Sequence, residues 1–590
     1  MQGRVQGGSG ATSRSAKRTQ WRRVRAGGAG PRHRFVAGGI ASITLSGLAP
    51  LLVPRDHSSG VKPLSLTLPQ CPIYSASCDM DGIRSSFSTM VSKNALDRFA
   101  ARKETIGFLV VLGAAAALYL YRLGFSDIWA DEALTKAIIR HPLRDLLRLV
   151  ADDFHPPLYF LALKFFTGIV GNTDRTIRLF SVLGVLSTLV LGYTAGRRVF
   201  GKSGALCLCL LLAALPMPGL YSHVARMYTW TAFVTTGVFL YAVLYARDGR
   251  KADLALLGLF SLMAAYIHYY CLIAAFWSGL ALLVICSAKR LPAWRAVAVM
   301  GAVVFLLFLP WLLVLLSQVR AVHKDYWIPA VSWATLLTCY TQPSGGIFRF
   351  YPHSYVLLAI IGVLTIASVC RWAVFPSGEH QVPLGLSLLV FNATILTVVT
   401  VSLLVKPILY PRYVMAVAPL LLIPPLLALT SWRRTWLKAL VLGGMVYCGS
   451  FVVLAESTFS YGPYQQVLRQ LSKAHPEVRK ILHVTELTAG PSAEYGRGGP
   501  WSQGYFKNDQ SSWYSNMEAL DGLTPLKRLS DWVKRDEIFC LVVFEKLPLN
   551  QANTALLLAQ CQTLAVDDVV DEKPYSGVKL KLYILSYNGP

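Results

Sequence analysis

Long apolar stretches separated by short basic loops dominate the chain from residue 105 to residue 455. Stretches of about 18 or more apolar residues are long enough to cross a bilayer as helices. The candidates are 105–123, 156–170, 177–195, 203–221, 228–246, 253–287 (long enough for two short spans), 294–316, 354–374, 383–405, 413–430 and 434–455. The pattern predicts an all-α polytopic membrane protein with about 11, and at most about 13, transmembrane helices.

The charges of the loops help to decide how many of these stretches cross the membrane. If every stretch crosses, successive basic loops fall on opposite sides of the membrane. Segment 156–170 is short and contains Lys164, so whether it spans or lies along the interface stays open. With this segment at the interface, eleven crossings remain and the basic loops share one face, which we assign as cytoplasmic. The outer face then collects 124–176, 222–227, the turn near His268, 317–353, 406–412 and the tail from 456.

The two ends of the chain differ from this middle part. Residues 1–89 are rich in Gly, Ser and Arg, and we expect a disordered or mis-called N-terminal extension. Residues 90–455 form the predicted transmembrane domain, with 124–176 as its first outer loop. Residues 456–590 predict a small extracytoplasmic α/β domain. Its predicted elements are a helix at 465–474, strands at 480–484, 538–544 and 578–587, and a loop at 487–515.

Composition supports the membrane assignment. The mean hydropathy is +0.46 and 54% of residues are hydrophobic, which is too apolar for an ordinary soluble protein. The net charge of +26 invites a nucleic-acid interpretation, but the basic residues are scattered through short loops. The positive-inside bias and anionic lipid headgroups explain that distribution better, so we predict no nucleic-acid partner.

An acidic pair follows the first apolar stretch. Asp131 and Glu132 stand where a membrane segment meets water. Carboxylates at a bilayer surface are costly to bury, which favours chemistry on a lipid-borne substrate. The alternative is that they only stabilise the N-terminus of the next helix.

Other polar residues gather on the same predicted face. They are His155, Arg226, Tyr228, His268, Tyr269, Lys324, Trp327, Lys406, Arg412 and Tyr413. Such a set fits transfer of a sugar from a polyprenyl-phosphate carrier, because a carboxylate takes the acceptor proton and cations neutralise the departing phosphate. Each residue also has a structural alternative: a turn for His155, interfacial cations for Arg226 and Arg412, and packing for His268.

Short motifs in this order resemble the GT-C superfamily of membrane glycosyltransferases. They are Trp-x-Asp-Glu-Ala at 129–133, His-Pro-Pro-Leu-Tyr at 155–159, Arg-Leu-Phe-Ser at 178–181, Arg-Val-Phe-Gly at 198–201, Ala-Arg-Met-Tyr at 225–228, His-Tyr-Tyr at 268–270 and Pro-Arg-Tyr at 411–413. The chain is most similar to the bacterial branch related to dolichyl-phosphate-mannose protein mannosyltransferases and the lipid A aminoarabinose transferase. The resemblance covers about 105–455.

The resemblance implies an inverting transferase that uses a polyprenyl-phosphate-linked sugar. The catalytic carboxylate maps onto Asp131, with Glu132 as its neighbour. We expect the donor phosphate and headgroup to contact Arg226, Tyr228, Lys406, Arg412 and Tyr413. Further substrate contacts are expected from His155, His268, Tyr269, Lys324 and Trp327.

The expected partners are an undecaprenyl-phosphate-linked sugar, membrane lipids and an extracytoplasmic acceptor. The expected location is the bacterial inner membrane, with the active site and the C-terminal domain on the periplasmic side. No obligate cofactor or metal is predicted, and dependence on a divalent ion stays open. The chain lacks the large lumenal insertion of the eukaryotic protein mannosyltransferases, which puts a protein acceptor in doubt.

Two other classes remain as alternatives. A transporter or flippase of lipid-linked sugars would show internal repeats and ionisable residues near the membrane midplane. The sequence has no evident repeat between its halves, and its unusual charges cluster at one face. A non-catalytic scaffold for envelope assembly would use the acidic loop as a partner surface.

Overall fold

The computed structural model describes residues 103–288, 293–321, 328–346, 351–375, 378, 380–506, 520, 522–544, 554–571, 573 and 579–589. The predicted extension 1–89 and the candidate residues Lys324 and Trp327 lie outside these residues. The fold that follows is that of the described part.

Eighteen helices have seven or more described residues, and we number these in chain order. The first nine are α1 Lys103–Leu120, α2 Ala130–Ile138, α3 Leu143–Asp152, α4 Leu158–Val170, α5 Asp174–Thr194, α6 Gly196–Ala214, α7 Pro216–Ser222, α8 Tyr228–Asp248 and α9 Lys251–Ile267. The others are α10 Tyr269–Ala288, α11 Ala293–Ala321, α12 Trp333–Thr341, α13 Pro352–Val374, α14 Gln381–Leu404, α15 Ile423–Ser431, α16 Thr435–Glu456, α17 Tyr464–Ala474 and α18 Glu486–Tyr495.

The apolar stretches form helices as predicted, and the chain is a multi-pass membrane protein. Within the described residues, 8 helices are long and apolar enough to cross a membrane, or 9 if α6 and α7 form one span bent by 58°. The bend coincides with Pro216 and Pro218, which cannot continue the hydrogen-bond ladder of α6. The count of about 11 crossings stays a prediction.

Two predicted spans are interrupted. The stretch 253–287 breaks at His268, whose backbone is extended between α9 and α10. The stretch 413–430 begins as two 3₁₀ segments, Pro411–Ala416 and Ala418–Leu422, before α15. Prolines at the start of these segments remove backbone donors and favour the irregular conformation. Both interruptions place polar side chains at helix ends. Segment 156–170 contains α4, a helix of 13 residues.

The tail contains a six-stranded sheet, as the predicted α/β domain requires. Its strands are β1 Lys480–His483, β2 Ser502–Phe506, β3 Leu523–Leu526, β4 Ile538–Phe544, β5 Cys561–Val570 and β6 Lys579–Tyr587. The order is β3-β2-β1-β4-β6-β5, with β1 to β4 parallel and β6 antiparallel to both β4 and β5. Helix α17 packs Val467 and Leu471 into the sheet core.

The predicted loop 487–515 is partly wrong. The structure has α18 in its first part and β2 further on, while 507–519 lie outside the described residues. Thr485 caps α18, since its hydroxyl accepts a hydrogen bond from the Leu487 N–H. The Gly and Ser content suggested a loop, but this cap and packing against α2 favour a helix.

Candidate active site

Helix α2 holds the acidic pair. Trp129 is its N-cap, so Asp131 and Glu132 occupy the second and third helical positions. Glu132 accepts a hydrogen bond from the Trp129 N–H at 3.4 Å, as the glutamate of a capping box does. Both carboxylates are nevertheless buried, with Asp131 4% and Glu132 0% exposed. Burial of two adjacent carboxylates requires specific partners for each.

Glu132 is held in a buried ion pair with Arg178 of α5. Arg178 Nε and Nη2 donate to its two carboxylate oxygens at 2.8 and 2.7 Å. The Ala225 N–H donates at 2.9 Å. Arg178 also donates to the carbonyls of Ser126 and Asp127, at 2.8 and 3.1 Å. Glu132 and Arg178 therefore connect the segment before α2 to α5 and to the segment before α8.

Asp131 faces Arg412 instead. Arg412 Nη1 donates to Asp131 Oδ2 at 3.1 Å. The guanidinium carbon of Arg412 lies 5.0–5.9 Å from four aromatic ring centroids. These rings belong to Trp129, Tyr228, Tyr410 and Tyr413. The aromatic faces stabilise the cation.

A second buried arginine lies close to the pair. Arg226 donates to Thr135 Oγ1 at 3.1 Å, and its Nη2 lies 3.5 Å from Asp153 Oδ2. Burial alone would lower the pKa of Arg226, but the Asp153 and Asp131 carboxylates raise it above its ordinary value. Burial also opposes the charge on Arg412, and Tyr228 and Asp131 raise its pKa well above the ordinary value. Two permanent cations thus flank Asp131.

Two histidines complete this side of the site. The rings of His155 and His268 are 5.9 Å apart between centroids, and both contact the ring of Tyr413. Burial, followed by His155 and the two arginines, lowers the pKa of His268 well below its ordinary value. His268 is therefore neutral, and its Nδ1 accepts a hydrogen bond from the Tyr270 N–H at 3.1 Å.

A cavity of about 470 Å³ lies beside Arg412. It lies at the end of the helix bundle that also carries the acidic loop. Its lining includes Arg122, Trp129, Arg178, Tyr221, His223, Gln342, Tyr410, Arg412, Glu456 and Tyr461. Burial lowers the pKa of His223 to about 4, and the ring donates from Nε2 to the Tyr119 carbonyl at 2.9 Å. The cavity therefore combines aromatic faces, a neutral histidine and charged groups.

Several buried polar atoms around Asp131 and Arg412 have no hydrogen-bond partner within the described residues. Two belong to cavity-lining side chains, Trp129 Nε1 and Gln342 Oε1. Two more, Arg226 Nε and the Tyr228 hydroxyl, belong to side chains that do not line the cavity. Buried polar groups without partners are costly, so their concentration indicates a place where a polar ligand binds.

Most of the predicted site residues lie together. Asp131, Glu132, His155, Arg226, Tyr228, His268, Arg412 and Tyr413 form one connected cluster. Tyr269 is engaged elsewhere: its hydroxyl donates to Gln318 at 2.5 Å and accepts from Trp311 at 3.2 Å. The structure describes no side-chain partner for Lys406.

No metal site is evident in the part of the chain that the structure describes. That part has no group of three or more His, Cys, Asp or Glu side chains that could hold an ion.

Sequence reasoning left out several residues of this site, among them Arg178, Arg122, Gln342 and Tyr461. Arg178 could have been recognised from the sequence, because an arginine inside an apolar stretch requires a buried partner. Arg122 had a weaker signal, since it is basic at the outer end of the first span. Gln342 and Tyr461 had none: Gln342 lies in a 3₁₀ turn after α12, and Tyr461 in the connection between α16 and α17.

Comparisons with known proteins agree with this description. Residues 154–334 match the family described as dolichyl-phosphate-mannose-protein mannosyltransferase. The chain shares its fold with ArnT from Cupriavidus metallidurans bound to undecaprenyl phosphate, at a TM-score of 0.53 and 15% identity, over 80% of this chain and 97% of that one. The apo structure of the same ArnT gives a TM-score of 0.54 at 15% identity, over 82% and 99%. No curated protein sequence matches the chain.

The family match and the shared fold confirm the predicted resemblance to the GT-C superfamily. The match of residues 154–334 to the mannosyltransferase family indicates an enzyme of the glycosyltransferase class, and the ArnT structures show the same fold.

Proposed function

We propose that the protein transfers a sugar from an undecaprenyl-phosphate carrier to an extracytoplasmic acceptor with inversion at the anomeric carbon, and that Asp131 is the base. The observation that carries the proposal is the buried pair of Asp131 with Arg412, a residue that lines the cavity. Undecaprenyl phosphate is the ligand of one ArnT structure with the same fold, which supports a lipid-linked donor.

The transfer needs one proton acceptor and one charged site for the leaving group. An acceptor hydroxyl attacks the anomeric carbon and gives its proton to the Asp131 carboxylate. The bond between that carbon and the phosphate oxygen breaks, and the electron pair leaves with undecaprenyl phosphate. Arg226 and Arg412 are suited to hold that phosphate, because a guanidinium offers two donors to phosphate oxygens. The Arg226 Nε and the Tyr228 hydroxyl are buried donors without a partner in the described residues, and the Tyr228 ring lies 5.9 Å from the Arg412 guanidinium.

The cavity suits the sugar of the donor. A sugar bonded to a phosphate at Arg412 has to lie within a few ångströms of that side chain, and the cavity is directly beside it. Trp129 and Tyr461 are stacked with their ring centroids 5.3 Å apart and provide an aromatic wall. Gln342 Oε1 and Trp129 Nε1, which have no partner in the described residues, then bind hydroxyl groups of the sugar ring.

We further propose that the protein works in a bacterial inner membrane with this site on the periplasmic side. The basic connections at the opposite end of the bundle support that orientation through the positive-inside rule. The acceptor is a lipid, a glycan or a protein whose hydroxyl reaches Asp131.

The proposal is tested by transfer with purified protein in detergent. Radiolabelled undecaprenyl-phosphate sugars are supplied with a membrane extract as acceptor, and the matching nucleotide sugars are supplied in parallel. We expect label to move to a new product from a lipid-linked donor alone. Transfer from the nucleotide sugars, or no transfer by well-folded protein from any donor, would overturn the proposal.

A further inference from the structure

The short segment that leads into α2 contacts the C-terminal region at every position from 126 to 129. The Tyr461 N–H donates to the Ser126 hydroxyl oxygen at 2.9 Å, and the Ile128 N–H donates to the Tyr495 hydroxyl at 2.9 Å. Trp129 stacks on Tyr461. The main-chain path toward Asp131 therefore depends on residues more than 300 positions later in the chain.

Asp127 makes the strongest of these contacts. Its carboxylate is buried and accepts from the Gln465 N–H at 2.9 Å and from Lys573 Nζ at 2.9 Å. Gln465 is the second residue of α17, so Asp127 caps this helix from outside it. A carboxylate at a helix N-terminus is stabilised by the unpaired backbone N–H groups and the helix dipole.

The rest of α2 follows the same pattern. Gly490 of α18 lies against Ala130 and Ala133, where an added Cβ would be in van der Waals contact at 3.4 Å. Glu494 pairs with Lys136 at 3.1 Å and with Arg140 at 2.6 Å. One side of α2, the helix that carries Asp131, therefore packs against the C-terminal region. The acidic pair and Thr135 of the same helix contact Arg178, Arg226 and Arg412.

We propose that Asp127 is a positioning residue, through which the C-terminal sheet domain fixes the Asp131 carboxylate in its working orientation. Asp127 precedes Asp131 by four positions, so a shift of the α17 cap moves the start of α2. Displacement of a reacting group by about 1 Å costs about 100-fold in rate. This inference rests on the proposed function for its catalytic consequence, whereas the structural link between Asp127 and α2 is measurable without it.

The test compares Asp127→Ala and Lys573→Met with Lys579→Met, a control that removes the Lys579–Asp568 ion pair of 2.6 Å within the same sheet. Asp127→Asn is the conservative variant, because its amide oxygen still accepts the Gln465 N–H. Full-length protein in detergent is used. The measurements are amide hydrogen exchange over 130–138, binding of undecaprenyl phosphate, and kcat and KM for the labelled lipid-linked sugar.

We expect Asp127→Ala to speed exchange over 130–138 by about tenfold or more and to lower kcat by about 10- to 100-fold. The KM and the binding of undecaprenyl phosphate stay within about threefold, and Asp127→Asn recovers most of the kcat. The exchange rate and kcat of Lys573→Met should lie between those of Asp127→Ala and those of the control. Exchange equal to that of Lys579→Met, or faster exchange with unchanged kcat, overturns the inference. If Asp127→Ala speeds exchange but the unaltered protein itself transfers no sugar, the proposed function is contradicted. The structural link between Asp127 and α2 is then still supported.

Discussion

Two adjacent carboxylates have opposite surroundings at the residue scale. Both oxygens of Glu132 are occupied by Arg178 and backbone donors, whereas Asp131 contacts a single guanidinium beside a cavity. A base has to exchange its partner for a substrate hydroxyl, which favours Asp131. The sequence predicted the pair, and the resemblance placed the base at Asp131. The ion pair of Glu132 with Arg178 was not predicted, because it depends on the register of α2 against α5.

The buried pair of Glu132 and Arg178 is expected to stabilise the fold. Glu132→Gln leaves the Arg178 charge buried without a counterion, at a cost of about 3–5 kcal/mol. We therefore predict a clear fall in the thermal unfolding temperature of the purified protein. The double variant Glu132→Gln with Arg178→Met should recover part of the loss. An unfolding temperature equal to that of the unaltered protein would contradict the structural role.

Gln342 is expected to determine sugar selectivity. Its Oε1 is buried without a partner in the cavity wall, and the residue is 5% exposed. Gln342→Leu removes an acceptor for a sugar hydroxyl, so the transferred lipid-linked sugar should bind about tenfold more weakly. Undecaprenyl phosphate without a sugar should bind as before, and the exposed Gln560 supplies a control through Gln560→Leu. Equal losses for both ligands would exclude a role in sugar recognition.

At the scale of elements, the hydrophobic pattern predicted where the helices lie, but it did not predict where they are interrupted near the site. The breaks at His268 and at Pro411–Ala416 were hidden inside apolar stretches, since hydropathy does not report local backbone conformation. These irregular segments place His268, Arg412 and Tyr413 beside Asp131. The strands at 480–483, 538–544 and 579–587 were predictable from their apolar and alternating patterns, but α18 was not.

Helices α6 and α16 approach closely at one glycine. A Cβ added at Gly449 would overlap the Ala214 carbonyl oxygen, a backbone atom that cannot rotate away. Gly449→Ala should therefore lower the free energy of unfolding by about 1–3 kcal/mol or more. Gly444→Ala, on the same helix and facing open space, is the matched control and should change little. Thermal unfolding in detergent distinguishes them, and equal unfolding temperatures would refute this close contact.

On the whole-molecule scale, several of the predicted outer segments meet around Asp131, and three of the predicted inner segments meet one another. Residues 126–132, 224–228, 268–270, 411–413 and 457–465 meet around Asp131. The predicted inner loops meet through Arg198 with Asp253 at 2.6 Å and Lys202 with Glu104 at 3.6 Å. The positions of basic residues in the loops were enough to predict this grouping of segments. They are informative because the surface potential of the lipid acts on every connection between helices. The number of crossings depends on short and bent helices, which hydropathy counts poorly.

The proposed orientation has a direct consequence for labelling. In a Cys370→Ser background, a membrane-impermeant maleimide should label Asp568→Cys in intact spheroplasts. Arg250→Cys, in the connection between α8 and α9, should react only after lysis. Labelling of the background protein is measured separately. The reverse pattern would contradict a periplasmic active site.

The role of Asp131 is tested most directly by single-turnover sugar transfer with Asp131→Asn, which keeps the shape of the side chain and removes the base. Asp145→Asn in the same outer segment is the control. The account predicts a fall in rate of about two to four orders of magnitude for Asp131→Asn. Binding of undecaprenyl phosphate should be retained, and the Asp145→Asn rate should stay near that of the unaltered protein. A transfer rate for Asp131→Asn within about threefold of the unaltered protein would contradict the assignment of the base.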